Sequence, residues 1–322
     1  MPFAPIALSM SLALTALLPS AAAYETDQIT DRLLPLRDAG VEADGEVARR
    51  LSAAIQRTNQ QTGCRATTEV TRRTLAEKIY DQMAFPTYVK GRGELAGLGY
   101  GAYAAWLETS PSVDRRSVEY YGDIYARTRP QDSLVLSTVG VCSTILLAGR
   151  LMGTDKPDHF WAQGYEYLLA SHHGLNDDDA IAWGDASEKG AYGFATSGVY
   201  SYADLAANWE GYQFYKALLT DDSPLERGGD GCVVLARPFR WADWITDALD
   251  EVLNPPQYVE RVETAVRAQL AGERTTLCAA YKVWGRTAEA QRAKVIVAEA
   301  PHLSPLAPPR EDEWQLDALC AS

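Results

Sequence analysis

Positive charge is what this sequence has little of. Thirty Lys and Arg against 43 Asp and Glu leave a formal net charge of −13. Proteins that hold nucleic acid present a basic face to phosphate, so this balance argues against that class, and equally against docking on anionic lipid. Histidine is scarce too: there are four in 322 residues, and the five cysteines include no C-x-x-C pair. A zinc module built on closely spaced Cys and His is therefore not encoded. The chain also lacks G-x-S-x-G, S-x-x-K, H-E-x-x-H and P-loop patterns. Serine hydrolase, zinc protease and nucleotide-binding readings go without support. No segment repeats at a fixed period, and no long alternating strand pattern occurs.

The N-terminus adds a further absence. Residues 1–24 carry no charged side chain. An apolar run over residues 6–18 is followed by Pro19, Ser20 and Ala21-Ala22-Ala23. Small residues at Ala21 and Ala23 fit an A-x-A cleavage site, and the run is short for a membrane span. Residues 1–23 are thus expected to be a signal peptide, although no basic residue precedes the apolar run. The mature chain would begin near Tyr24, in the periplasm or outside the cell, with no stable membrane span. In that oxidising setting Cys64, Cys142, Cys232, Cys278 and Cys320 predict one or two disulfides and a thiol left over. Cys232 with Cys278 is the preferred pair, since two expected helices joined at Asn254-Pro255-Pro256 lie between them.

What is present is helical periodicity. Val47, Leu51, Ala54 and Ile55 share one face, and Leu75, Ile79 and Met83 recur at spacings of four. The stretch 133–149, SLVLSTVGVCSTILLAG, has no charge and predicts a buried central helix. PFRWADWITDALDEVLN predicts another, with Trp241, Trp244, Ile245, Ala248 and Val252 inward. Its Asp243, Asp247, Asp250 and Glu251 would form a solvated acidic face. Two G-x-G-x-x-A matches, at Gly91 and Gly99, follow no strand, which speaks against a dinucleotide loop. The fold class is mostly α: a single multi-helix domain over residues 24–300 with irregular Gly/aromatic-rich connections. A loose, proline-bearing tail is expected over 301–322.

Chemistry concentrates in two helices. In GVYSYADLAANWEGYQFYKALL, Ser201 and Asp204 have the form of a capping box, and Glu210 falls on a wet face with Ala206. Asp204, Asn208, Gly211 and Tyr215 lie opposite, in a stripe that should be dry. Buried Asp and Asn are costly unless hydrogen-bonded, so they predict partners. In DKPDHFWAQGYEYLLAS, Asp155 and Asp158 look like helix-start residues, while Asp155, His159, Gln163 and Glu166 share one side. That side reads either as solvent-facing or as a metal site built on His159 and Glu166. Between these helices Asp177, Asp178, Asp179, Asp185 and Glu188 do not follow the calcium-loop pattern.

Eight aromatics lie between Tyr192 and Tyr215, Trp209 among them. Aromatic faces beside carboxylates suit sugar rings and paired-acid chemistry, and they also suit plain core packing. A Glu followed by a Gly/aromatic turn and a further helix resembles the lysozyme-like glycan hydrolases. The Ser/Gly/Gln signature of their transglycosylase branch is missing, and no residue role is carried over. The leading expectation is an exported hydrolase acting on a glycan or cell-envelope substrate. Glu188 would be its general acid and Asp204 its second carboxylate, with His159, Asn208, Tyr192 and Trp209 binding substrate. The alternative is a non-catalytic binding or scaffold protein, and a third reading is a metal-dependent enzyme using His159 and Glu166. No cofactor can be named from the sequence.

Overall fold

The computed structural model describes residues 25–64, 68–87, 100–119, 122–138, 140–220, 225–228, 231–284 and 316–321. The expected signal peptide and the Gly91 match lie outside these residues. The fold is mostly α, with short antiparallel strand pairs between helices.

Helices α1 (Gly40–Thr62) and α2 (Thr68–Met83) pack as a pair. Val47, Leu51 and Ala54 bury one stripe, and Leu75, Ile79 and Met83 bury the other. Strands β1 (Pro86–Thr87) and β2 (Tyr100–Gly101) pair and lead into α3 (Ala102–Thr109).

The uncharged stretch 133–149 is not a helix. Its second half is strand β3 (Thr144–Leu147), paired with β4 (Arg150–Gly153) around Ala148 and Gly149. Both turn residues have positive φ, 48° and 79°, as a two-residue hairpin requires. Asp38 clamps the turn by accepting from the Ala148 and Gly149 amides at 3.0 and 2.6 Å. An apolar run of this length reads alike as helix or strand, and here the Ala-Gly turn decides it.

Beyond β4 come α4 (Asp155–Trp161), α5 (Gln163–Ala170) and α6 (Asp177–Lys189). Strand β5 (Val199–Tyr200) then leads into α7 (Tyr202–Leu219). Helix α7 is the hub, packed against α2, α4, α5 and α6. Its crossing with α4 and α5 is backbone on backbone. A Cβ at Gly211 would sit 1.9 Å from the Phe160 carbonyl oxygen, and one at Gly164 would sit 2.7 Å from Gly211 Cα. Only glycine permits that approach. Around it Phe160, Trp161, Phe214, Phe239 and Trp241 interlock edge-on, with Phe160 and Trp161 centroids 4.7 Å apart.

After the hairpin β6 (Leu225–Arg227) and β7 (Val233–Leu235), the expected helix over residues 238–254 is instead two single 3₁₀ turns, Trp241–Asp243 and Asp247–Leu249. Trp241, Ile245, Ala248 and Val252 are buried as their spacing predicts and Trp244 is half-buried; of the acidic face Asp243 is exposed and Asp247 half-buried, but the other two acids are not solvated. Asp250 and Glu251 are 3% and 7% exposed. Arg32 donates to both Asp250 oxygens at 3.1 and 2.7 Å, and Thr246 accepts from the Ala248 amide. These partners draw the segment inward and break the helix. Strand β8 (Gln257–Tyr258) pairs with β5, and α8 (Glu260–Trp284) follows as one long helix. The last described element is α9 (Leu316–Ala321), packed on α8.

Two disulfides close the structure, and neither is Cys232–Cys278. They are Cys64–Cys232 and Cys278–Cys320, with Cys142 a buried thiol. The Asn59 carboxamide exchanges two 2.9 Å hydrogen bonds with the Val233 backbone, which seats Cys232 at the C-terminal end of α1 beside Cys64. Cys278 faces α9. Both bridges fit an oxidising compartment. Among the described residues, no helix is long and apolar enough to cross a membrane.

Peptide mapping without reductant should recover the 64–232 and 278–320 pairs, with Cys142 unreactive until the chain unfolds. Changing Cys64 and Cys232 together to Ser should lower unfolding free energy by about 2–5 kcal/mol in denaturant titration, because a bridge spanning 168 residues restrains the unfolded chain strongly.

Candidate functional site

The first turn of α7 meets α4 at a buried cluster of charge. Ser201 caps α7, its hydroxyl accepting from the Asp204 amide at 3.1 Å. The expected capping box is only half made, because the Asp204 carboxylate turns inward. Its Oδ1 accepts from Lys156 Nζ at 2.5 Å and its Oδ2 lies 3.2 Å from His159 Nε2. The same ammonium donates to Asp155 Oδ2 at 2.8 Å and to Glu251 Oε1 at 2.6 Å. Lys156 is 0% exposed. A fully desolvated ammonium survives only with such partners, and its three N–H donors meet three carboxylates.

Hydrogen bonds extend the cluster. The Asn208 Oδ1 atom meets His159 Nδ1 at 3.0 Å, one turn along α7 from Asp204. Glu188, at the end of α6, accepts from the Ser201 amide at 2.9 Å. The Ser201 hydroxyl donates to Glu251 at 3.2 Å. Gln28 accepts from the Glu251 amide at 2.6 Å, and Glu25 is buried beside these acids. Segments from five parts of the chain therefore converge on one ionic centre, at residues 25–28, 155–159, 188, 201–208 and 250–251, with Arg32 bracing the last of them.

So many buried acids cannot all ionise. Burial, then repulsion from Asp204, pushes Glu188 well above the carboxylate range. Burial likewise lifts Glu251 to about 8, with Lys156 opposing. Glu25 is raised by burial and by repulsion from Asp204 and Glu251. Asp204 goes the other way: burial pushes it up, but His159 and Lys156 together hold it below the usual value. Lys156 is lowered by burial and raised further by Asp155, Asp204 and Glu251, ending above an ordinary lysine. Asp204 is thus the acid held toward ionisation, while Glu188, Glu251 and Glu25 are pushed toward their protonated forms.

The structure thus brings Glu188, Asp204, His159 and Asn208 together, and buries all four at 1–4% exposure. The stripe of Asp204, Asn208, Gly211 and Tyr215 is dry, as its place on the wheel predicts. Several expected surfaces are not wet. Ala206 is buried and Glu210 is half-buried, because α5 and α6 cover that side of α7. In α4 Asp155 and His159 are buried, and so is Gln163. The chain leaves the helix at Ala162, so one solvent face never forms. Glu166 accepts from Tyr192 Oη at 3.3 Å, and Trp209 packs on Tyr212 with centroids 5.4 Å apart. Those contacts involve neither Asp204 nor Glu188.

Sequence reasoning missed Lys156, Glu251 and Glu25. Lys156 stands between Asp155 and Asp158 in a segment that looks like a charged helix start, and Glu251 sits in an acidic run. Each carries the ordinary signal of an exposed residue. Asp155, Asp204 and His159 offer one donor atom each within 4.8 Å of one another, a spacing open to a metal ion. Comparison with family models, with curated proteins and with solved structures finds no match to this chain.

Replacing Lys156 by Met should destabilise the fold by about 3–5 kcal/mol in denaturant titration, since it strands buried carboxylates while keeping the volume. A pH effect comes from outside the cluster. Burial lifts Glu166 and Glu210 to about 7 from 4.5. The folded chain keeps protons that the unfolded chain releases, so these groups weaken the fold as pH climbs from about 4.5 to 7. The loss is complete above that window. Glu210→Gln should therefore raise the melting temperature at pH 8 relative to wild type and leave it little changed at pH 4.5. Equal shifts at both pH values would count against the burial of Glu210 as its cause.

Proposed function

We propose that this chain is an exported hydrolase acting on a glycan or cell-envelope substrate, with the buried acidic cluster as its acid/base centre. The observation that carries the reading is convergence. Glu188, Asp204, His159 and Asn208 come from three separate helices, yet one network of hydrogen bonds and ion pairs joins them through Ser201, Glu251 and Lys156. A cluster of this kind is poor at stabilising a fold. Burying its acids costs more than apolar packing would, and such concentrations of displaced pKa values gather at working sites. Glu188, pushed toward its protonated form by burial and by Asp204, can donate a proton to a leaving group. Asp204, beside His159, can hold or accept one from water. The leader-like N-terminus and the two disulfides support export.

A second reading, a non-catalytic binding or scaffold protein, is favoured by a different observation. Glu188 and Asn208 are each 1% exposed, so a glycan chain reaches them only if the site opens. Open space lies elsewhere. A cavity of about 580 Å³ runs between residues 29–34 and the middle of α8, lined by Leu33, Leu34, Thr276 and Leu277, and it touches the cluster through Arg32 alone, not through Glu188, Asp204, His159 or Asn208.

Turnover decides between them. Wild-type protein should release soluble fragments from cell-envelope glycan. Glu188→Gln and Asp204→Asn should each lose on the order of 100-fold or more, with circular dichroism confirming the fold. Undiminished turnover in both folded variants removes their assigned roles. Absence of turnover by the wild type favours the binding reading.

A further inference from the structure

We propose that Asp155, His159 and Asp204 bind one divalent first-row metal ion, of the zinc or manganese kind, where α4 meets the first turn of α7. Asp155 and His159 stand four residues apart, which places both on one face of α4, and Asp204 faces them from α7. Each supplies one donor, and the three donors lie within 4.8 Å of one another in buried surroundings. A metal with ligand bonds of about 2.0–2.2 Å draws its donors to roughly 3–4 Å apart. His159 Nε2 and Asp204 Oδ2, at 3.2 Å, already have that separation.

Three further observations point to a cation. First, the Asn208 carboxamide oxygen lies 3.0 Å from His159 Nδ1, and an oxygen there can only accept. Nδ1–H therefore donates to Asn208, and Nε2 is the nitrogen that faces Asp204 Oδ2, where either its own proton or a metal ion supplies the positive charge between the two atoms. A histidine held from behind through its other nitrogen is also the usual arrangement for a metal ligand. Second, Asp155 is 3% exposed and its Oδ1 has no hydrogen-bond partner. Glycine at 153 leaves room for that oxygen, because a Cβ there would stand 2.1 Å from it. Third, acids outnumber ammonium groups here: Lys156 is one ammonium shared among Asp155, Asp204 and Glu251, with Glu188 and Glu25 buried alongside. A divalent ion can sit beside it without displacing it, since Lys156 holds the Oδ1 side of Asp204 while the histidine faces Oδ2. One imidazole with two carboxylates suits zinc or manganese better than calcium, whose sites are built from oxygen alone. The ligand set departs from a His159–Glu166 pair, since Glu166 is engaged by Tyr192.

The inference goes beyond the hydrolase reading, and its test reads the ion rather than turnover. Full-length mature protein is stripped with chelator and titrated separately with Zn²⁺ and Mn²⁺, followed by calorimetry and elemental analysis. One ion per chain is expected, with a higher melting temperature in the loaded form. Asp155→Asn and His159→Gln should weaken binding at least tenfold, while Glu166→Gln leaves it unchanged. Should the variants fold poorly, Co²⁺-loaded wild type supplies the answer. Its paramagnetic proton spectrum should show a single shifted, exchangeable imidazole N–H, that of His159 Nδ1. Failure to bind either ion at millimolar concentration overturns the proposal and leaves Lys156 as the cation that holds Asp155 and Asp204. Binding undiminished in folded Asp155→Asn and His159→Gln also overturns it, as do two or more imidazole signals. Metal uptake without glycan turnover leaves this site standing and the hydrolase reading fallen, whereas turnover without uptake does the reverse.

Discussion

A single ammonium with no access to water organises this molecule. Lys156 Nζ holds Asp155 from its own helix, Asp204 from α7 and Glu251 from the segment before β8. Each bond ties down a different piece of chain, and the geometry has no slack, because three donors meet three acceptors. Such an arrangement adds little net stability, since the Coulomb attraction repays desolvation and not much more. It does impose specificity. A shift of α4 along α7 by one residue would part Lys156 from Asp204 and leave both charges buried and unpaired. The Gly164–Gly211 approach works to the same end sterically, because the crossing point is fixed where neither helix has a side chain. Charge sets the register and glycine sets the distance.

The same constraint explains the odd shape of residues 238–254. Amphipathic spacing favours a regular helix there, and the apolar positions are indeed inward. A helix would, however, send Asp250 and Glu251 away from the apolar stripe and into water. Lys156 and Arg32 hold them inside, so the backbone breaks into two short turns with Thr246 as a local cap. Here tertiary electrostatics overrides local propensity, and the segment most at odds with its periodicity is the one that completes the ionic centre.

What could be read from the chain follows the same division. Apolar stripes in α1, α2 and α7 are legible because burial repeats with the helix, and so is the dry stripe bearing Asp204 and Asn208. Lys156, Glu251 and Glu25 are not legible. A charged residue carries no mark of burial when its partner lies 48 or 95 positions away, as for Lys156 with Asp204 and Glu251. The hairpin at Ala148-Gly149 was open to reading from its turn residues, but the uncharged length of the segment masked it. The Cys64–Cys232 bridge depends on Asn59 seating β7 at the end of α1, a long-range contact that cysteine spacing does not encode.

Placement of the cluster also bears on what it can do. A carboxylate in water and one in a closed core are different reagents, because the core fixes the dipoles around it and denies it reorganisation. Asp204 is aimed by Ser201 at one end and by Asn208, through His159, at the other. Both aiming residues belong to α7 with its cap, and the imidazole comes from α4, so the geometry of the carboxylate, imidazole and amide is set by how the two helices cross. Chemistry there would gain from geometry already in place, and the barrier to be overcome would be admission of substrate. Helix α7 cannot provide that opening, since it is the hub of the core. The cover on the far side of Lys156 is residues 25–28 and 250–251, joined to each other by the Gln28–Glu251 and Arg32–Asp250 contacts. That pair of segments is joined by polar contacts, while Leu249, Val252 and Leu253 beside it pack in the apolar core and residues 25–28 are themselves buried, so the centre is closed on this side as well.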